Sequence, residues 1–449
     1  MNGNESPLGD EGGSQPFERR TSALSADGYA PPHVAPTIQA HAALGAAAPA
    51  AGASAAAPNG IEYHGGSVIH APVAYYIWYG TWTNDTGPAI LTDFISNLGG
   101  SPYFGINSSY TDSSGHVRNV VTYGGEAAVG YARGLTIDGA KIFDVVAETI
   151  HSGGLPLDPN GVYFVLTSAD VSVAGDHPGE GFCNTFCAWH GVGHLGSTNF
   201  QFAFVGNSDR CPGMCEAQTT SPNGNAGADA MASWIAHELE ESATDPKFDA
   251  WFNATPVGVG ENADKCEFNF GQEYQVPIMP VSVPGQFTAR LAAATSVISP
   301  APLPTTRANM RLGSRDYLIQ TNWLNANGGL CSLGVRRLQV DVTGEVVTVT
   351  SQPDGISCQG LGCVHFFDPG TAVTLTASGG PSTVLKQWVG CDSVSGNTCN
   401  LTLTTDRAVT AVAAPLCSAT CTRSCIAECI QDGGLPRTCT GPCRVLCGC

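Results

Sequence analysis

The 18 cysteines constrain the fold of this 449-residue chain more than any other feature of its sequence. Ten lie between Cys183 and Cys399, and the other eight crowd into the stretch from Cys417 to Cys449. An even number of cysteines at such density is typical of disulfide-linked proteins from oxidising compartments. We therefore predict a secreted, extracellular protein, although the N-terminal sequence MNGNESPLGDEGGSQPFERR contains no recognisable signal peptide.

The charge of the chain excludes two classes of partner. Its formal net charge is −19, with 19 Lys and Arg against 38 Asp and Glu. This balance argues against binding to nucleic acid or to an anionic membrane surface, because both need a basic face. The chain has no apolar run of the roughly 18 residues that a transmembrane helix needs. We expect a protein, a peptide or a cell-wall component as substrate or partner, and the sequence predicts no oligomeric state.

The sequence divides into four segments. Residues 1–60 are rich in Ala, Pro and Gly, which predicts a disordered linker or propeptide. Residues 61–334 combine strand-like and helical patterns, which predicts an α/β or α+β main domain. Short alternating strands separated by Gly, Pro and Asp predict a small all-β module over 338–414. Residues 415–449 form a Cys-rich tail.

Within the main domain, apolar periodicity predicts particular elements. Residues 68–79 and 161–173 are rich in β-branched and aromatic residues and are predicted to form buried strands. Two helices are predicted from apolar residues spaced three or four apart and followed by Gly-Gly. Their apolar positions are Ile90, Leu91, Phe94, Ile95 and Leu98 in the first, and Ile142, Val145, Val146 and Ile150 in the second.

The stretch WIAHELEESATDP, residues 234–246, contains the strongest candidate for chemistry. On a helix His237 and Glu241 lie about 40° apart on one face, as the two histidines of a zinc-peptidase H-E-x-x-H helix do. A carboxylate is an acceptable zinc ligand, and Glu238 would be the general base that takes a proton from the metal-bound water. Glu240 is predicted to face solvent. The alternative is a solvated acidic helix face without metal.

A zinc site needs a third protein ligand. The later stretch GENADKCEF offers Glu261, Asp264 and Glu267, and the spacing of the residues does not choose among them. Asp229 is predicted to be the N-cap or a first-turn charge of the helix, and Asp245 before Pro246 is predicted to end it.

A second group of potential ligands comes earlier in the chain. It consists of Cys183, Cys187, His190 and His194, followed by Cys211 and Cys215. The cysteines could form a zinc site, but the spacing is not the usual C-x₂-C, so two disulfides are favoured. The histidines are weaker candidates as ligands, since a histidine in a loop is more often structural.

Further disulfides are predicted for Cys266–Cys331, Cys358–Cys363 and Cys391–Cys399. In the tail, Cys417, Cys421, Cys425 and Cys429 are spaced four apart, which aligns them on one helix face. We favour disulfides there over a soft-metal cluster.

Residues from about 64 to 331 resemble the EXORDIUM / phosphate-induced protein 1 family. The segments that carry the resemblance include HGGSVIHAPVAYYIWYGTW, GFCNTFCAWHG, NGNAGADAMASWIAHELEESATDPKFDAWF and ENADKCEF. The resemblance implies an extracellular, cell-wall-associated protein, linked in plants to growth responses. Its E-x-A-D-x-C motif favours Asp264 as the third ligand. The set His237, Glu241 and Asp264, with Glu238 as base, would then be similar to a zincin-type zinc site.

Residues 338–414 resemble bacterial extracellular modules of the InlB B-repeat type, on the pieces GISCQGLGCVHFFDPGTAVTLTA and LKQWVGCDSVSGNTCNLTLTTDRAVTAVAA. Such modules are spacers or adhesive additions, so this part implies a bacterial relative. Two functions follow from the sequence. The first is a secreted zinc-dependent peptidase or related hydrolase, and the alternative is a non-catalytic cell-wall, matrix or adhesive protein.

Overall fold

The structure, a computed structural model, describes residues 27–29, 33–36, 61–253, 260–278, 304–360, 362–380, 383–415, 419–431 and 440. Most of its regular structure is strand, with a few helices. Buried apolar side chains form two separate cores, of which the larger contains the helices and the smaller lies within residues 338–413. No helix among the described residues is long and apolar enough to cross a membrane.

A seven-stranded mixed sheet lies at the centre of the larger core. Its strands are β1 (Asp27–Tyr29), β2 (His33–Pro36), β3 (Val73–Tyr79), β4 (Thr122–Gly130), β5 (Gly161–Thr167), β6 (Phe186–Leu195) and β7 (Thr198–Gly206). Their order is β1-β6-β7-β5-β3-β4, and β2 also pairs with β6. The pairs β7-β5, β5-β3 and β3-β4 are parallel, whereas β6 is antiparallel to β1, β2 and β7. The edge near β6 is therefore the antiparallel part of the sheet.

Three helices accompany this sheet: α1 (Gly87–Leu98), α2 (Gly139–His151) and α3 (Ala226–Thr244). All nine apolar positions predicted for α1 and α2 are buried, which confirms both helices. The first predicted strand begins at Val73 rather than at residue 68, directly after Pro72, which has no amide N–H for a strand ladder. The second ends at Thr167 and is followed by the separate strand Ser172–Val173.

Short elements complete this part of the chain. The remaining strands are Glu62–Tyr63, Thr111–Asp112, Gly115–His116, Thr136–Ile137, Trp251–Phe252, Tyr274–Pro277, Thr305–Ala308, Met310–Leu312, Arg315–Tyr317, Asn322–Leu324 and Leu330–Ser332. The 3₁₀ helices are Phe104–Ser109, Ser208–Arg210 and Asp264–Cys266.

Nine strands surround the smaller core. They are β8 (Arg336–Gly344), β9 (Val347–Gln352), β10 (Ser357–Gln359), β11 (Cys363–Phe367), β12 (Ala372–Gly379), β13 (Thr383–Val389), β14 (Ser393–Ser395), β15 (Thr398–Thr402) and β16 (Arg407–Pro415). They form a four-stranded sheet, β11-β8-β16-β13, and a five-stranded sheet, β10-β9-β12-β15-β14. We call residues 336–415 the β module.

Five disulfides link described cysteines. They are Cys183–Cys211, Cys187–Cys215, Cys266–Cys331, Cys358–Cys363 and Cys391–Cys399. These pairs confirm the predicted bridges and rule out a zinc site made by the first four cysteines, because a disulfide sulfur is no longer a thiolate ligand.

Two predictions fall largely outside the described residues. In the tail the structure describes α4 (Ala419–Gln431), in which Cys425 and Cys429 are disulfide-bonded. Most of residues 1–60, predicted to be a disordered linker, also lies outside the described part. The exceptions, β1 and β2, are paired with β6 and are not linker.

Candidate metal centre

Helix α3 begins and ends at side chains that satisfy its terminal groups. Asn225 is the N-cap and accepts a hydrogen bond from the amide of Ala228 at 3.0 Å. Asp229 is therefore not the N-cap but a first-turn charge, where it favours the helix dipole. At the other end Asp245 is the C-cap, and its amide donates to the carbonyl of Glu241 at 2.8 Å. The predicted helix end is confirmed.

The acidic residues of α3 are buried, so the solvated-face alternative is wrong. His237, Glu238, Glu240 and Glu241 are all 0 % exposed. The prediction that Glu240 faces solvent fails because the 3₁₀ helix Phe104–Ser109 packs against that side of α3. The periodicity of one helix cannot reveal what a distant segment covers.

The surroundings of Glu240 favour its neutral form. Burial raises its pKa well above the usual range, despite the hydrogen bonds with Tyr103 and Asn107. The Tyr103 hydroxyl lies 2.9 Å from the carbonyl of Gln320 and 3.2 Å from Glu240 Oε2. The hydroxyl therefore has two acceptors within reach for its single proton.

Two of the predicted ligands, Glu241 and Asp264, approach Nε2 of the third, His237. Nε2 of His237 lies 3.1 Å from Glu241 Oε1 and 3.4 Å from Asp264 Oδ1. Donor atoms around a tetrahedral zinc ion are roughly 3.3 Å apart, given metal–ligand bonds of about 2.0–2.1 Å. Of the three loop candidates, Asp264 is the one with a described contact to His237. Glu238 also contributes, since it, His237 and Glu241 offer donor atoms within 4.8 Å of one another.

The His237 ring is oriented for a ligand at Nε2. That nitrogen has no well-formed hydrogen bond among the described residues, although two carboxylates are close. The side-chain amide of Gln320 lies 2.5 Å from Nδ1. The atom next to Nδ1 is the amide nitrogen, which donates to Nδ1 as placed. A metal at Nε2 needs the amide turned by 180°, so that its oxygen accepts from Nδ1–H.

A metal at this position would compete with a proton. Burial alone lowers the pKa of His237, but the charge of Glu241 and the nearby Asp264 outweigh it, so the pKa lies well above its usual value. The same carboxylates therefore favour a proton on the imidazole, and a metal bound there would have to displace that proton.

Sequence reasoning underrated His190, which is a member of the cluster. This residue lies on β6 and is 0 % exposed. Its Nδ1 is 3.1 Å from Glu238 Oε2 and 3.3 Å from Glu241 Oε2, while its Nε2 is 3.3 Å from Glu261 Oε2. The signal in the sequence was a histidine inside the apolar stretch FCAWHGVGHL. His194, four residues later, has its described side-chain contact with the carbonyl of Gly196 instead.

Glu261 and Asp245 form an acidic pair beside His190. Burial raises the pKa of Glu261 well above its usual range, and the charges of Asp245 and Glu241 add to the effect. Burial also raises the pKa of Asp245, although its hydrogen bond with Glu261 opposes the shift. A proton shared between the two carboxyls explains why both pKa values are raised. The cluster as a whole offers imidazole and carboxylate donors, a set that suits zinc and harder divalent cations.

Comparison with known proteins identifies the family. Residues 61–278 match the family profile described as the phosphate-induced protein 1 conserved region. Protein EXORDIUM-like 3 of Arabidopsis thaliana is 33 % identical over 241 residues, which cover 47 % of this chain and 69 % of that protein. This chain belongs to the EXORDIUM family.

Other members of the EXORDIUM family are also similar. Protein EXORDIUM-like 5 of Arabidopsis thaliana is 29 % identical over 242 residues, covering 47 % of this chain and 65 % of that protein. Protein PHOSPHATE-INDUCED 1 of Nicotiana tabacum is 23 % identical over 237 residues, covering 46 % of this chain and 71 % of that protein. No solved structure matches the chain. The zincin-like fold and the resemblance of the β module to InlB B-repeats remain predictions.

All six residues of the metal centre lie inside the matched region of this EXORDIUM-family chain. They are His190, His237, Glu238, Glu241, Glu261 and Asp264. Gln320 and the β module lie outside it.

Proposed function

We propose that this EXORDIUM-family protein is extracellular and holds a divalent cation, zinc in the first instance, between His237, Glu241 and Asp264. The observation that supports this most directly is the approach of two carboxylate oxygens to 3.1 and 3.4 Å from an imidazole nitrogen without hydrogen-bond geometry. The five described disulfides support an oxidising, extracellular location.

The cation is proposed to be structural. Glu238 supplies a fourth protein donor, and a structural zinc site has four protein ligands, whereas a catalytic one keeps a position open. The side chains of His237 and Glu241 are 0 % exposed and that of Asp264 is 14 % exposed. Gln320 lines a cavity with Trp234 and Phe268 and also contacts His237.

The proposed ion would fix α3 to the loop that carries Asp264. That loop is attached a second time, through the disulfide Cys266–Cys331. Together these links would give a rigid, non-catalytic protein that acts at a cell wall or extracellular matrix. This function is the non-catalytic alternative predicted from the sequence.

A metal-dependent hydrolase is the second candidate, and one observation favours it. Oε1 of Glu238 is buried and makes no hydrogen bond with a described residue. A metal ion bound here would lower the pKa of a water molecule on it. Glu238, adjacent to His237 in the sequence, would then be the base that accepts the water's proton.

Metal analysis of the purified chain tests the proposed site. We expect stoichiometric metal in the wild type and a loss in His237→Ala. His194→Ala is a matched control, because His194 is a buried histidine whose described contact lies outside the cluster. Negligible metal in the wild type would remove the proposed site and the hydrolase candidate, and would leave a non-catalytic protein without a metal.

Substitution of Glu238 separates the two candidates. If Glu238 is a ligand, Glu238→Gln weakens metal binding, and neither protein cleaves a peptide library. If Glu238 is a base, the variant keeps its metal and loses a cleavage activity that the wild type has. Wild-type cleavage lost in the metal-loaded variant would therefore overturn the structural role.

A further inference from the structure

Glu241 directs its two carboxylate oxygens toward two different histidines. Oε1 lies 3.1 Å from Nε2 of His237, and Oε2 lies 3.3 Å from Nδ1 of His190. A carboxylate in this position can bridge two cations, one on each oxygen. Bridged pairs of metal ions about 3.5–4 Å apart are a recurrent arrangement in proteins.

We propose that Glu241 bridges two divalent cations, the second of which is held by His190, Glu241 and Glu261. This inference rests on the proposed function, because the first cation is the one bound at His237. Zinc or another divalent ion that accepts imidazole and carboxylate ligands is the class of cation expected.

The second position has a donor set of its own. His190, Glu241 and Glu261 offer ligand atoms that all lie within 4.8 Å of one another, and all three residues are buried. His190 presents Nδ1 to Glu238 and Glu241 and Nε2 to Glu261. Whichever nitrogen binds the ion, the other has a carboxylate to accept its proton, as metal-bound histidines in proteins usually do.

The charge of the cluster also favours a second cation. Glu238, Glu241, Glu261, Asp264 and the adjacent Asp245 give a formal charge of about −4 when Glu261 and Asp245 share one proton, and burying an uncompensated carboxylate is costly. Their described ion pairs are with His190 and His237. With neutral histidines, one divalent ion would leave about −2, whereas two would leave about 0.

The two cations would join three parts of the chain. His190 comes from β6, Glu241 from α3 and Glu261 from the loop before the 3₁₀ helix Asp264–Cys266. Glu238 would serve both cation positions. It would accept a hydrogen bond from His190 at the second position and offer a ligand atom beside His237 at the first.

Zinc titration of the chelator-stripped full-length chain, followed by native mass spectrometry, tests the proposal. We expect the wild type and the control His194→Ala to bind about two ions per chain and His190→Ala to bind about one. A wild type that saturates at one ion, retained in His190→Ala, would overturn the bridged pair and leave the proposed function standing. A wild type that binds none would overturn the proposed function itself.

A second measurement does not depend on a variant that must fold. Cobalt(II) ions bridged by a carboxylate couple magnetically, so the paramagnetic resonance intensity per cobalt ion of the wild type should fall between one and two added equivalents. An intensity that rises in proportion to the cobalt bound would contradict a shared Glu241.

Discussion

The two cores of this chain bury different kinds of side chain. Among the residues of the β module that the structure describes, the buried polar ones are Arg336 and Ser351, and the core consists of apolar and cysteine side chains. The larger core encloses two histidines and several carboxyls around α3, including His237, Glu238 and Glu241 at 0 % exposure. The β module is therefore stabilised by apolar burial, whereas the main domain also depends on how its buried charge is neutralised.

If the proposed cations are bound, this chain contains a core that is indifferent to ions beside a core that requires them. Protons on His237, Glu240 and the Glu261–Asp245 pair are one way to neutralise the cluster, and cations are the other. The largest differences in behaviour between the two cores should therefore appear when metal or pH is changed.

Chelation should have the largest effect. EDTA is expected to lower the calorimetric unfolding temperature of the main domain and to leave that of the β module unchanged. Loss of an ion held at a thousandfold excess over its Kd removes about 4 kcal/mol, which corresponds to roughly 10 °C for a domain of this size. EDTA presaturated with zinc is the control. Two transitions that both stay in place would contradict a structural metal.

A cavity in the β module should have the opposite pattern. Leu375 is 0 % exposed, so Leu375→Ala is expected to cost about 3 kcal/mol. We expect the transition of the β module to fall while metal content, measured by atomic emission, stays at the wild-type value. A fall in metal content would show that the two cores are not independent.

Asp229 should give the main domain a pH dependence that the β module lacks. Burial raises the pKa of Asp229 to about 6, although hydrogen bonds from Asn223 and Ser221 oppose the shift. The folded state therefore binds a proton that the unfolded chain releases near pH 4, and stability falls as pH rises from about 4 to about 6.

Asp229→Asn should remove the share of this slope that Asp229 contributes, which is worth up to about 3 kcal/mol. Urea unfolding of the variant and the wild type at several pH values measures the difference. If the unfolding free energy of the variant fell with pH as steeply as that of the wild type, a group other than Asp229 would be responsible.

Substitution of Glu240 should have the smallest effect on stability and metal content, whereas substitution of its neighbour Glu241 should have a large effect on metal content. Because burial favours the neutral form of Glu240, the amide oxygen of Glu240→Gln can accept the hydrogen bond from Tyr103 without loss of a charge. We expect a change in unfolding free energy below about 1 kcal/mol and an unchanged metal content. Glu241→Gln, one residue later, should lose the metal. Equal losses of metal in both variants would mean that the loss comes from changing a buried carboxyl and not from removing a ligand.

Local sequence spacing predicted the part of the site that one helix determines. His237 and Glu241 share a face of α3 because they are four residues apart, and the structure places their donor atoms 3.1 Å apart. The disulfides were likewise predictable in part, since nearby cysteines such as Cys358 and Cys363 have few alternatives. Asp264 was selected by family resemblance rather than by spacing.

The rest of the site depends on contacts between distant segments. His190 and Glu238 are 48 residues apart, and they meet because β6 packs against α3. Glu240 is buried by a segment more than a hundred residues earlier in the chain. No periodicity within α3 contains that information, so tertiary packing decided both the underrated position of His190 and the wrong solvent face predicted for Glu240.

X-ray absorption at the zinc edge of the purified full-length protein tests the metal centre most directly. We predict nitrogen and oxygen ligands at about 2.0–2.1 Å, and a loss of bound zinc in Glu241→Gln. Absence of zinc after loading, or sulfur ligands at about 2.3 Å, would contradict the site at α3 and point to the cysteines of the tail.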